Sequence, residues 1–227
     1  MKKTVFALLV LLLAACGPKQ QKETVMVVET TMGTVEFKLY NQTPLHRDNF
    51  IRLAREHYFD SLLFHRIIDG FVIQGGDPNS RHAAPGELLG DGEPDYRIPA
   101  EFRLEDGIFH HKWTVNAARE GDDTNPERES CASQFCFMMG NPMTEAQLER
   151  AQERLDKATD GQVKLTPAMR ATYMEIGGSP HLDGQYTVFG EVVSGFEVLE
   201  AMQKVPTDTY DRPLEDVRML RVYRKEE

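Results

Sequence analysis

Short runs in which hydrophobic and polar residues alternate occur throughout this chain, and they predict a series of short β-strands. The first two runs cover residues 25–29 and 34–40, and Met32-Gly33 between them is typical of a tight turn. These runs predict an N-terminal hairpin. Later strands are predicted within residues 62–73, 113–117, 134–138, 187–193 and 216–223.

Helical periodicity is limited to four segments, at about residues 44–57, 144–157, 167–177 and 196–204. The first follows Thr43-Pro44, a pair that suits the start of a helix. The second begins with Thr144 and Gln147, the pattern of a capping box. The middle two helices are rich in charge and interrupt the strands, so residues 143–178 are interpreted as an inserted helical pair. Such an insertion is either a solvated elaboration of the surface or an arm that binds a partner.

Many short strands with few helices favour a closed β-barrel with capping helices, because closure leaves no sheet edge exposed. The chain of 227 residues is long enough for one sizeable core, and its content of 41% hydrophobic and 9% aromatic residues is ordinary for a globular protein. A mainly β domain is therefore expected over residues 25–224.

The first residues of the chain differ in composition from the rest. Lys2 and Lys3 precede an apolar run over residues 5–15, which is shorter than the roughly 20 residues that span a bilayer. This layout is typical of a secretory signal peptide that is removed, here residues 1–15. The letters LAAC ending at Cys16 resemble the lipobox of bacterial lipoproteins. They imply a lipidated Cys16 and a membrane anchor outside the cytoplasm, in the periplasmic space or cell envelope. An ordinary cleaved signal peptide is the alternative.

Residues 16–24 are expected to carry the lipidated cysteine and a flexible tether. The formal net charge of the chain is −10, and loss of the signal peptide makes it more acidic. A strongly acidic protein repels phosphate backbones, so nucleic acid is not an expected partner. Cys131 and Cys136 are expected as free thiols, because cysteines five positions apart on an extended segment cannot pair unless the chain loops back. A monomer is expected.

Three segments carry a resemblance to a known family. They are FHRIIDGFVIQGGD at residues 64–77, SQF at residues 133–135, and LDGQ with VFG within residues 182–190. Together they resemble the signature of the cyclophilins, the peptidyl-prolyl cis-trans isomerases, and bacterial members in particular. The resemblance implies an eight-stranded antiparallel β-barrel with capping helices, no cofactor and no metal. It implies proline-containing segments of unfolded or exported proteins as partners.

The reaction that the resemblance implies is rotation about an X-Pro peptide bond, which has a barrier of about 18–20 kcal/mol and makes or breaks no bond. In the twisted state the prolyl nitrogen regains a lone pair, which a nearby guanidinium would stabilise. Arg66 is the candidate donor. The resemblance adds Gln74 and Phe71 as catalytic residues. It assigns substrate binding to Val72, Asn116, Ala117, Ala118, Gln134, Cys136, His181, Leu182 and Tyr186.

The geometry of the hairpin around Asp69-Gly70 decides whether Arg66 and Gln74 share a site. A two-residue loop would pair Arg66 with Ile73 and put Gln74 on the opposite face of the sheet. A three-residue loop over residues 69–71 would set Arg66 directly across from Gln74. The site therefore requires the longer loop.

Several positions depart from the family pattern. Cys136 stands where a large aromatic residue is usual, which would loosen the proline socket. His181 replaces a tryptophan and puts cyclosporin sensitivity in doubt, Tyr186 replaces a histidine, and Asn116 stands where a small apolar residue is frequent. A cyclophilin-fold chaperone that binds peptides with little isomerase turnover is the alternative function. A metal-dependent hydrolase that uses His110-His111 is the third hypothesis.

Overall fold

The computed structural model describes residues 22–226. The predicted signal peptide, Cys16 and most of the tether lie outside the described residues. The strands are β1 (Thr24–Thr30), β2 (Gly33–Leu39), β3 (Arg66–Ile68), β4 (Val72–Gly75), β5 (Arg97–Ile98), β6 (Thr114–Ala117), β7 (Ser130–Cys131), β8 (Phe135–Met138), β9 (Val188–Ser194) and β10 (Met219–Arg224). The helices are α1 (Pro44–Arg55), α2 (Glu145–Ala158), α3 (Pro167–Glu175) and α4 (Phe196–Met202).

Eight of the strands form one antiparallel sheet in the order β10-β1-β2-β9-β6-β8-β4-β3, and the short β5 and β7 pair separately. The sheet curls around the core, but its edge strands β10 and β3 do not pair with each other. The closed barrel expected from the sequence is therefore not confirmed. The loop between α4 and β10 lies along this seam, where the Ile67 N–H donates to the Asp211 carbonyl at 2.8 Å and the Phe64 N–H to Val217 at 2.8 Å.

Alternation along the strands and amphipathic spacing in the helices build the main core. In β2 the hydrophobic residues Val35, Phe37 and Leu39 are fully buried, while their neighbours are less buried. Helix α1 covers one side of this core with His46, Phe50, Leu53 and Ala54, whose spacing puts them on one helical face. Edge-on contacts between rings, such as Phe50 with Phe135 at 5.3 Å, fill the centre.

The inserted helices lie where the sequence predicts them. Thr144 and Gln147 form the capping box that begins α2, and the Thr166 side chain caps α3. A second, smaller core packs the two helices against the segment before β6, which contributes Phe109, and it contains Phe109, Leu148, Leu155, Leu165, Met169 and Tyr173. The insertion is therefore docked on the domain through its own apolar face.

Cys131 and Cys136 are buried free thiols, as the sequence predicted. Burial raises the pKa of Cys131 to about 11 and that of Cys136 to about 12, so both stay protonated near neutral pH. Among residues 22–226 there is no helix of the length and hydropathy needed to cross a bilayer.

Candidate functional site

The hairpin of β3 and β4 has the three-residue loop that a shared site requires. Ile68 pairs with Val72, and Arg66 pairs with Gln74 across the two strands. Gly70 in the loop has φ of 68°, a conformation that glycine adopts without strain. Arg66 and Gln74 therefore face the same side of the sheet.

The same row continues across two further strands. Gln74 pairs with Cys136 on β8, and Cys136 pairs with Asn116 on β6. Because directly paired residues on neighbouring strands project to the same face, Arg66, Gln74, Cys136 and Asn116 form one line of side chains. This line forms the floor of a cavity of about 340 Å³.

A chain of hydrogen bonds holds the polar end of this row. The guanidinium of Arg66 donates to Gln74 Oε1 at 3.3 Å, and Gln74 Nε2 donates to Gln134 Oε1 at 2.9 Å. Gln134 in turn donates to the carbonyls of Gly90 and Gly92 at 2.7 and 2.8 Å. Gln134 thus orients Gln74, which in turn orients Arg66.

An acid that the sequence analysis missed also contacts the arginine. Asp211 Oδ2 lies 3.5 Å from Arg66 Nε, and both side chains are about two-fifths exposed, at 43% and 39%. The neighbouring Tyr210 lines the cavity. No sequence signal pointed to this loop, because it lies far along the chain from the motif and reaches Arg66 only through the seam of the sheet.

The other end of the cavity is apolar. Val72, Cys136 and Met138 form a small buried cluster, and Phe71 and Leu182 pack against it. The His181 ring stacks behind Phe71 with centroids 5.9 Å apart. A prolyl ring is a compact apolar group, and a socket of this kind would remove it from water.

Nine of the predicted residues line the cavity: Arg66, Phe71, Val72, Gln74, Asn116, Ala118, Cys136, Leu182 and Tyr186. Ala117, which was also predicted to bind substrate, does not line the cavity, because side chains alternate along β6 and that of Ala117 points into the main core with 3% exposure. Gln134 supports Gln74 from an adjoining pocket, and His181 lines a neighbouring cleft. Cavity residues that the sequence analysis did not assign to the site are His65, Leu89, Gly90, Asp91, Arg119 and Tyr210.

His65 is a packed residue at the back of this cavity. Its side chain is 3% exposed, and burial lowers its pKa to about 4. It is therefore neutral near pH 7. Within residues 22–226 no group of three or more His, Cys, Asp or Glu side chains is arranged to hold a metal ion. The site therefore combines the charged hydrogen-bond donor Arg66, the side-chain amides of Gln74 and Gln134, and the apolar socket.

Comparison with known proteins identifies the family of this chain. The cyclophilin-type peptidyl-prolyl cis-trans isomerase model matches residues 25–224. A Staphylococcus aureus (strain COL) protein named as a peptidyl-prolyl cis-trans isomerase is 34% identical over 199 residues, which cover 87% of this chain and 90% of the relative. A Streptococcus pyogenes protein named as a bifunctional phosphatase and peptidyl-prolyl cis-trans isomerase is 33% identical, and the match spans 88% of this chain but 37% of that longer protein.

Solved structures agree on the fold. A cyclophilin-type peptidyl-prolyl cis-trans isomerase from Cryptosporidium parvum superposes with a TM-score of 0.65 at 21% identity, over 91% of this chain and 99% of the other. A structure of the same protein in the presence of the dipeptide Ala-Pro superposes with a TM-score of 0.61 at 20% identity, over 89% of this chain and 99% of the other. This chain belongs to the cyclophilin-type peptidyl-prolyl cis-trans isomerases.

Proposed function

We propose that this isomerase rotates X-Pro bonds in exported proteins, and that Arg66, Gln74 and Phe71 carry the reaction. The observation that supports it most directly is the row from Arg66 to Asn116, which sets a charged donor at one end of an apolar socket. The Ala-Pro dipeptide in the presence of which the Cryptosporidium relative was solved supports proline-containing peptides as substrates.

The socket would hold the prolyl ring between Phe71 and Leu182 and fix one side of the bond that rotates. As the amide twists, the guanidinium of Arg66 donates to the lone pair that forms on the prolyl nitrogen. This contact is stronger in the twisted state than in the planar state, so it lowers the barrier. The reaction transfers no proton, so the neutral His65 and the protonated Cys136 thiol need play no part in it.

An isomerisation assay on short X-Pro peptides tests this function. The purified domain is expected to accelerate the exchange between cis and trans forms, and titration with the same peptides should give saturable binding. Saturable binding without acceleration would support the alternative function, a peptide-binding chaperone with little turnover.

The small side chain of Cys136 should limit the activity of the socket. Cys136 is 6% exposed between Gln74 and Asn116, and a larger apolar side chain there would reduce the space around the prolyl ring. Cys136→Phe is expected to raise kcat/KM for a small Pro peptide by about threefold or more, equivalent to roughly 0.7 kcal/mol. The measurement is the isomerisation assay with Cys136→Ser as a size-matched control. Unchanged or lower turnover in Cys136→Phe would show that another residue fills the socket.

A membrane anchor is part of this proposal and rests on the sequence before residue 22. Signal peptide removal after residue 15 and lipidation of Cys16 would tether a monomeric domain to a membrane in the periplasmic space or cell envelope, within reach of proteins that fold after export. The full chain expressed in a bacterium should partition into detergent, and Cys16→Ser should remain in the aqueous phase. Equal partitioning of the two chains would contradict lipidation.

A further inference from the structure

The inserted helix α2 forms one wall of a second cleft next to the catalytic cavity. This cleft has a volume of about 340 Å³. Arg119, Leu182 and Tyr186 line both spaces, so the two lie next to each other on either side of these residues. Arg154 and Ala158 of α2 close the outer side of the cleft. A peptide that seats its proline in the cavity would therefore pass along this wall.

Several contacts hold the ridge of Arg119 and Tyr186 between the two spaces. The Arg119 guanidinium lies 4.4 Å from the centre of the Tyr186 ring, and its Nε donates to the Gln185 carbonyl at 2.7 Å. Its side chain is 3% exposed and forms an ion pair with Asp122 at 2.7 Å. Helix α2 is held in place by the small apolar core that contains Leu148 and Leu155. The inner wall of the cleft is therefore held by contacts within the fold, and the exposed Arg154 on α2 forms the outer wall.

The charges in the cleft are unbalanced. Asp122 is the acid that lines it, and two cations already pair with this carboxylate, Arg119 and Arg128, each at 2.7 Å. Arg154 is exposed and forms no ion pair with any residue from 22 to 226. Burial, together with the charges of His110 and Arg154, lowers the pKa of His181 in the same cleft, so its ring is neutral near pH 7. An uncompensated positive charge therefore faces the cleft in a chain whose net charge is −10.

We propose that this cleft is an outer substrate subsite, formed by the insertion, that accepts an acidic side chain of the peptide near the proline. The inference rests on the proposed function. Because Leu182 and Tyr186 lie at the junction of the two spaces, the side chain that reaches Arg154 is expected to belong to a residue close to the proline on one side. The acidic side chain supplies the counter-charge that Arg154 lacks.

The test compares peptides that differ in one side chain. Glu, Gln or Lys is placed at each of three positions on either side of the X-Pro unit, and kcat/KM and Kd are measured at low salt. At one of these positions, kcat/KM and affinity are expected to be highest for Glu, lower for Gln and lowest for Lys. Each step should be about two- to fivefold, the size of the effect of a partly exposed ion pair. The preference should weaken in high salt because exposed charges are screened.

Substitution of the arginine makes the test specific. Arg154→Glu should reverse the order so that Lys is preferred, and Arg154→Gln should remove the preference. Arg150→Gln, the same change one turn earlier on α2 at an exposed residue that does not line the cleft, should keep the wild-type order. A wild-type enzyme without charge preference, or a preference that survives Arg154→Glu, would overturn the inference. If no peptide is turned over, the proposed function fails, and the Kd series still decides whether the subsite exists.

Discussion

Replacement of Arg66 by alanine is expected to lower kcat/KM for an X-Pro peptide by about 100- to 1000-fold, the usual effect of removing one donor aimed at developing charge. Arg66 is the cation at the polar end of the row, and Gln74 and Asp211 hold it from two sides. Alanine leaves the socket in place but removes the group that stabilises the twisted amide. The loss should therefore fall mainly on kcat, and peptide binding should change little.

The isomerisation assay and a binding titration measure these two quantities. Arg66→Lys keeps the positive charge but replaces the planar guanidinium by an ammonium group, so an activity between those of the wild type and Arg66→Ala is expected. Arg221→Ala is the matched control, since Arg221 lies on β10, outside the cavity, with its guanidinium 4.7 Å from the centre of the Tyr223 ring. Full activity in Arg66→Ala would remove this residue from the mechanism.

Replacement of Asp183 by alanine is expected to lower the free energy of unfolding by about 3–5 kcal/mol. The Asp183 carboxylate is fully buried and accepts three hydrogen bonds, from the His110 N–H at 2.9 Å, from His110 Nδ1 at 2.9 Å and from the Tyr173 hydroxyl at 2.7 Å. Alanine leaves these donors buried without an acceptor. Burial and the nearby carboxylate raise the pKa of Tyr173, so its hydroxyl stays protonated as a donor.

Chemical denaturation of the purified domain measures this change. Tyr173→Phe removes one of the three bonds and should cost less, about 1–3 kcal/mol. Asp123→Ala, at an exposed acid in a loop, is the control and should change the stability by less than about 0.5 kcal/mol. Since Leu182 precedes Asp183 in the chain, catalytic activity should fall together with stability. A loss below about 1 kcal/mol in Asp183→Ala would show that the network contributes little.

The features that local sequence determines were predictable. The hairpin of β1 and β2, the capping box of Thr144 and Gln147 and the proline that begins α3 depend on residues close together in the chain, so their patterns predict them directly. The sequence did not determine the length of the loop between β3 and β4. It did show that, of the two loop lengths considered, only the three-residue loop places Arg66 and Gln74 on the same face of the sheet.

Features set by distant parts of the chain were not predictable in this way. Asp211 reaches Arg66 because the loop before β10 lies along the seam, and no pattern near either residue indicates that contact. Alternation along β6 puts Ala117 on the opposite face from Asn116, but only the register between β6 and β8, which pairs Ala117 with Phe135, shows that this face is the core. The cleft beside Arg154 depends on how the insertion docks, which its own helical periodicity does not determine.

The short edge strand β3 has a consequence for motion. It spans three residues and has one partner in the sheet, and on its other side the Ile67 N–H is bonded to the loop at Asp211. Segments with few ladder bonds open at a small fraction of the global unfolding free energy. Local opening here would separate Arg66 from Asp211 while β4, β8 and the socket stayed folded. The equilibrium between the open and closed seam would then set the fraction of molecules in which Arg66 and the socket are both in place.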